Sequence, residues 1–231
     1  MIKKLGYSIL MLSCFCLSAQ AQSDSLALYF QLEFDKLPFE LHKKYVSGTK
    51  DTLSVESFKC YVSNIKIQYQ DASSLAIENR YYILDLEHPE TFKVPISKKS
   101  NQQITTITFD IGIDSLTATS GAMDGTLDPI KGMYWAWQSG YINTKIEGKS
   151  SSCKTRNNEF QFHIGGYREP YYAKRTLSFP INKKSSKDII IGIDFNRFFS
   201  SLKLQKTNSV MIPGKQALQL AGYCSTMFYI K

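Results

Sequence analysis

Phe58-Lys59-Cys60-Tyr61-Val62-Ser63-Asn64-Ile65-Lys66-Ile67-Gln68-Tyr69 sets apolar and aromatic side chains against polar ones along most of its length. A period of two is what a strand requires when its two faces meet different surroundings. Reading outward, the same alternation returns at Leu28–Phe34, Tyr81–Leu86, Ile104–Ile113, Tyr141–Glu147, Glu159–Ile164, Thr176–Phe179 and Asp188–Asp194. These runs are rich in Ile, Thr, Tyr and Phe, which suit a pleated surface. Turn-forming clusters separate them, among them Gly121-Ala122-Met123-Asp124-Gly125 and Lys149-Ser150-Ser151-Ser152. Helical periodicity is weak and confined to Phe195–Ser200 and to Gly214–Ala221, which follows Pro213. The expectation is an all-β chain, an antiparallel sandwich or barrel-like fold with one or two short helices. No linker, repeat or low-complexity tract divides it, so residues 22–231 are read as one domain.

Met1–Ala21 reads as an address rather than as structure. Lys3 and Lys4 precede an apolar stretch from Leu5 to Leu17, and Ala19-Gln20-Ala21 offers a small-x-small cleavage signal. Cleavage there places the mature protein in the periplasm or outside the cell. A rival lipoprotein reading rests on Cys14 but lacks the leucine expected three residues earlier, where Met11 stands. No later stretch is apolar enough for long enough to suggest a transmembrane helix.

The formal charge is +8, falling to +6 without the two leader lysines, and 43% of the residues are hydrophobic. That composition can close a core, which excludes disordered and fibrous classes. The basic residues are scattered, with no arginine-rich run, so nucleic-acid binding is not expected. Cys60, Cys153 and Cys224 remain in the mature chain: one disulfide is allowed, with one thiol left over. Without a Cys-x-x-Cys pair, neither a structural zinc site nor a thioredoxin-type motif is indicated.

Enzyme signatures are missing. The chain has only His42, His88 and His163, with no Gly-x-Ser-x-Gly elbow, His-Glu-x-x-His motif, phosphate loop or dinucleotide fingerprint. Asp110 and Asp114 could act as a carboxylate pair only if the strand carrying them ran on unbroken. The expectation is therefore a protein that is not an enzyme.

Two segments stand apart. Gly132–Gly148 holds both tryptophans, Trp135 and Trp137, at a spacing that would point both rings the same way on an extended chain. Phe160–Gly166 alternates His163 with Phe160 and Phe162, placing the imidazole on a face with Gln161 and Gly165. The residues alone leave His163 open between a hydrogen-bonded structural residue and a metal ligand. They also leave the tryptophan pair open between core and a sugar-stacking surface. The last gives the alternative reading, a non-catalytic glycan- or surface-binding module using Trp135, Trp137, Tyr81-Tyr82 and Tyr171-Tyr172.

The segment order resembles the MbnP-like family, copper-binding proteins named for a partner protein encoded in methanobactin gene clusters. The resemblance is carried by Phe58–Ile65 with its Ser63-Asn64-Ile65 ending and by Phe109-Asp110-Ile111-Gly112-Ile113-Asp114. It continues through Leu127-Asp128-Pro129, Gly132–Tyr141, Phe162-His163-Ile164-Gly165-Gly166, Met211-Ile212-Pro213-Gly214 and Met227-Phe228. It implies an extracytoplasmic β protein that binds copper. It further implies a tryptophan oxidised to kynurenine by a partner di-haem peroxidase, with Trp135 or Trp137 as that residue and His163 as a copper ligand. Imidazole suits copper, and kynurenine's carbonyl and aryl amine are donor atoms that indole lacks. The resemblance supplies no second histidine. His42 and His88 lie outside the matching segments, leaving Met133, Met123 or a cysteine as the soft donors.

Overall fold

The computed structural model describes residues 25–97, 102–138, 140–181 and 188–231; the expected leader, 1–21, lies outside them. In chain order the strands begin with β1 (Ser25–Phe34), β2 (Leu37–Pro38), β3 (Tyr45–Val46), β4 (Thr52–Tyr69), β5 (Ser74–Asp85), β6 (Lys93–Ser97) and β7 (Ile104–Ile111). The short helix α1 (Ser115–Thr119) leads to β8 (Tyr134–Trp135), β9 (Gly140–Ser150), β10 (Glu159–Gly165), β11 (Arg175–Pro180) and β12 (Asp188–Asp194). The chain ends with α2 (Phe195–Phe199), β13 (Ser209–Val210), α3 (Lys215–Thr226) and β14 (Phe228–Ile230).

The decisive stretch of sequence is the spine. β4 pairs with β9 through Leu53–Cys60 and with β7 through Val62–Tyr69, while β5 lines its other edge from Lys59 to Gln68. The handover from β9 to β7 falls at Tyr61, and just beyond it, within the β7 pairing, a bulge is centred on Asn64, which adopts φ 49°. Asparagine is among the few non-glycine residues that tolerate this left-handed conformation, because its short amide bonds locally. Here Asn64 Nδ2 donates to Asp110 Oδ2 at 2.8 Å, and Ser63 Oγ donates to the Gly112 carbonyl at 2.7 Å. The Ser-Asn-Ile ending thus fastens the bulged stretch of β4 to the end of β7.

The larger sheet runs β11-β7-β4-β9-β10-β13, and the smaller β14-β12-β1-β2 with β6 on β1. The two stack as a sandwich, as the alternation implies, and the sheets are mixed: β1 runs parallel to β12, and β10 to β13. Alternation reports which face a residue takes but not the direction of its neighbour. Both expected helices form. Asp194 caps α2 by accepting from Asn196 N at 2.9 Å, and α2 turns Phe195, Phe198 and Phe199 inward. α3 buries Ala217, Leu220, Ala221 and Cys224.

Aromatic rings join the sheets. Phe109 of β7 meets Phe30 of β1 edge-on at 5.8 Å and Phe228 of β14 at 5.9 Å. Phe160 and Phe162 of β10 do the same with Phe199 and Phe198 of α2. Cys60, Cys153 and Cys224 all lie in this main core as free thiols. Replacing Phe109 with Ala removes the central ring of the seam and is expected to cost about 3–5 kcal/mol. Equilibrium urea unfolding reads this as a lowered midpoint with an unchanged slope.

Candidate metal centre

Because strands alternate, the side of the larger sheet facing away from the main core must be covered separately. Tyr61, Ile83, Ile113, Ala118, Leu127, Met133, Trp135, Tyr141 and Ile142 form a second apolar cluster there. Tyr61 is turned oppositely to its neighbours Cys60 and Val62, which belong to the main core. The outward face of β10 carries His163, since Phe162 and Ile164 on either side of it point inward.

The two tryptophans part company. The chain is extended only through Trp135 and turns at Ala136, so the rings do not share a direction as an extended strand would require. Trp135 is 6% exposed within the second cluster, and Trp137 is 64% exposed. They remain neighbours, with centroids 6.2 Å apart and planes at 54°. The Trp135 ring lies against Gly165. A Cβ on that glycine would stand 2.8 Å from the ring and 2.6 Å from the Tyr141 carbonyl oxygen. The register against β9 shifts between Ile164 and Gly165, yet Ile164 faces the main core while Gly165 meets Trp135, so Trp135 lies on the same face of the sheet as His163.

His163 is 12% exposed at its side chain, and its Nε2 lies 2.7 Å from Glu147 Oε1. The other carboxylate oxygen of Glu147 is 3.4 Å from Lys145 Nζ. The hydrogen bond from His163 holds the Glu147 carboxyl below its ordinary range, burial opposes this, and the Lys145 charge adds to it. Among the described residues, His163 Nδ1 has no hydrogen-bond partner. A histidine with one nitrogen on a carboxylate and the other open is the usual arrangement of a metal-ligating imidazole.

The other candidates are sorted by register. Asp85, Lys59, Lys145 and His163 are successive cross-strand partners on β5, β4, β9 and β10. His88 Nδ1 sits 3.1 Å from Asp85 Oδ2, at the opposite end of this row. Three strand spacings, about 14 Å, separate the ends, so His88 and His163 cannot share an ion. Asp85, Glu87 and His88 bring possible ligand atoms together, but the Lys59 ammonium already stands 3.0 Å from both carboxylates. It fills the place a cation would take. His42 is exposed in the loop between β2 and β3, with φ 61°.

Met133 is buried in the same cluster as Trp135, while Met123 is 42% exposed. The cysteines face the main core instead. Burial pushes the Cys60 thiol up to about 12 and that of Cys153 to about 11, and raises Cys224 well above its ordinary value, so none is a ready thiolate donor. Asp110 and Asp114 do not form a catalytic pair. Gly112 between them has φ 106° and breaks the strand. Asp110 is held by Lys174, Thr176 and Asn64, and Asp114 caps α1 and binds Tyr81. Sequence reasoning missed Glu147. Its alternation with Lys145 in Tyr141–Glu147 put it on an outward face, but only the β9–β10 register brings it to His163.

Fold and site together define a mixed β-sandwich with one outward, carboxylate-backed histidine beside a buried tryptophan. A family model described as MbnP matches residues 23–212, most of the chain, and the chain belongs to the MbnP family. Among solved structures, MbnP from Methylosinus trichosporium superposes with a TM-score of 0.64 at 12% identity, covering 89% of this chain and 97% of that one. At that identity the likeness speaks for the fold alone. No curated protein matches the chain.

Two outcomes follow from this geometry. Gly165→Val drives a side chain into the Trp135 ring, and a red-shifted tryptophan emission with retained sheet circular dichroism is expected. Glu147 stabilises the fold through a lowered pKa, so its contribution is present above the unfolded carboxyl value and is lost as pH falls through the folded one. Glu147→Gln is therefore expected to flatten the acid limb of a stability–pH profile, measured by denaturation from neutral pH down through the carboxylate range.

Proposed function

We propose that this protein binds copper outside the cytoplasm and serves in copper handling, as a binding protein rather than an enzyme. What carries the reading is the imidazole of His163, braced by Glu147 on the same sheet face as Trp135. Imidazole is a good copper ligand, and a bracing carboxylate makes it a better one. Family membership and the leader-like Met1–Ala21 segment support the metal and the compartment.

The residues fit such a centre in part. His163 offers one lone pair, and the Met133 thioether is a soft donor within the Trp135 cluster. Indole itself offers only an N–H. Oxidation of Trp135 to kynurenine by a partner di-haem peroxidase, with hydrogen peroxide as oxidant, would cleave the indole C2–C3 bond, release C2 as formate and leave a carbonyl and an aryl amine. Two amide nitrogens near this segment, Gln138 Nε2 and Asn143 Nδ2, are buried without partners among the described residues. Trp135 rather than Trp137 is the residue assigned to the centre, because its ring reaches the His163 strand and that of Trp137 faces solvent.

Copper titration of protein purified from its own host tests the reading. His163→Ala is expected to weaken copper binding by more than about tenfold, ~1.4 kcal/mol, with sheet content unchanged. An unchanged titration would remove His163 from the site.

A further inference from the structure

We infer that Glu147 is a positioning residue that fixes His163 in the Nε2–H form and thereby makes Nδ1 the atom that meets the metal. The inference rests on the copper reading above and adds to it which nitrogen binds and what selects it. An ionised carboxylate only accepts hydrogen bonds, so at 2.7 Å from Glu147 Oε1 the His163 Nε2 must carry the proton. A neutral imidazole then has its single lone pair on Nδ1, which is free of partners among the described residues.

The register makes the selection rigid. His163 stands directly opposite Lys145, and Glu147 directly opposite Gln161, so Glu147 reaches His163 along the diagonal of one antiparallel ladder. Lys145 Nζ, 3.4 Å from Glu147 Oε2, holds the far oxygen of the same carboxylate. Both partners sit within the paired ladder of β9 and β10, whose backbones are held by the register rather than carried on a loop. A ring set this way presents the same nitrogen before and after an ion arrives, and no tautomer change is needed for binding.

The test is nitrogen-15 NMR of His163 in the metal-free full chain at neutral pH, its signals assigned by their loss in His163→Ala. Nε2 is expected to show a protonated, pyrrole-type shift and Nδ1 a bare, pyridine-type shift. In Glu147→Ala the two shifts should draw together as the tautomers exchange, and copper affinity should fall about 10–100-fold. Glu147→Gln keeps an acceptor oxygen and should restore the wild-type pattern, which also guards against misfolding of the alanine variant. A proton on Nδ1, protons on both nitrogens, or unchanged shifts in Glu147→Ala would overturn the inference. These readouts need no metal, so they stay separate from the copper titration of His163→Ala, whose failure would instead remove the copper reading.

Discussion

The edge-on contact of Phe109 with Phe30 and Phe228 ties the two sheets into one core, and the rest of the molecule follows from it. Once the inner face of β7 is committed to that seam, alternation commits the inner faces of β4, β9 and β10 as well. Phe58, Cys60, Val62, Ile146, Phe160, Phe162 and Ile164 accordingly turn inward together. Every intervening residue is then forced outward. One end of that outer face is sealed by the cluster around Tyr61, Tyr141 and Trp135, and the rest carries charge.

The outer charges are ordered by the pairing itself. Lys59 and Lys145 are direct cross-strand neighbours, an unfavourable contact alone. Each is flanked by carboxylates: Asp85 and Glu87 beside Lys59, Glu147 beside Lys145. Burial works against ionised Asp85, and the Lys59 ammonium nevertheless keeps its carboxyl below the ordinary value. The row therefore ends in two separately braced histidines. One braces against a carboxylate already neutralised by a lysine, and the other, His163, shares its face of the sheet with an indole. Strands fix such positions more tightly than loops do, which suits the proposed ion site.

Much of this was legible in the sequence. Eight alternating runs became strands, both short helices form, and the faces of Cys60, Phe162 and His163 are those that alternation assigns. The direction of β1 against β12 was not legible, because a period of two is the same read either way. The parting of Trp135 and Trp137 was hidden because it depends on a turn beginning at Ala136, inside a segment that reads as strand. Glu147 was hidden for a third reason: its meeting with His163 depends on how far β9 has slid along β10, and no local pattern fixes that distance. Cys60 was legible as a buried apolar residue. That all three cysteines share one core, away from the histidine face, required the packing.

The most direct measurement is a native mass of the mature protein isolated from its own host, followed by peptide mapping across Gly132–Gly148. Retained copper with an oxidative mass change on Trp135, and none on Trp137, is the expected result. A metal-free protein with both tryptophans intact would contradict the assignment of a copper centre to this face.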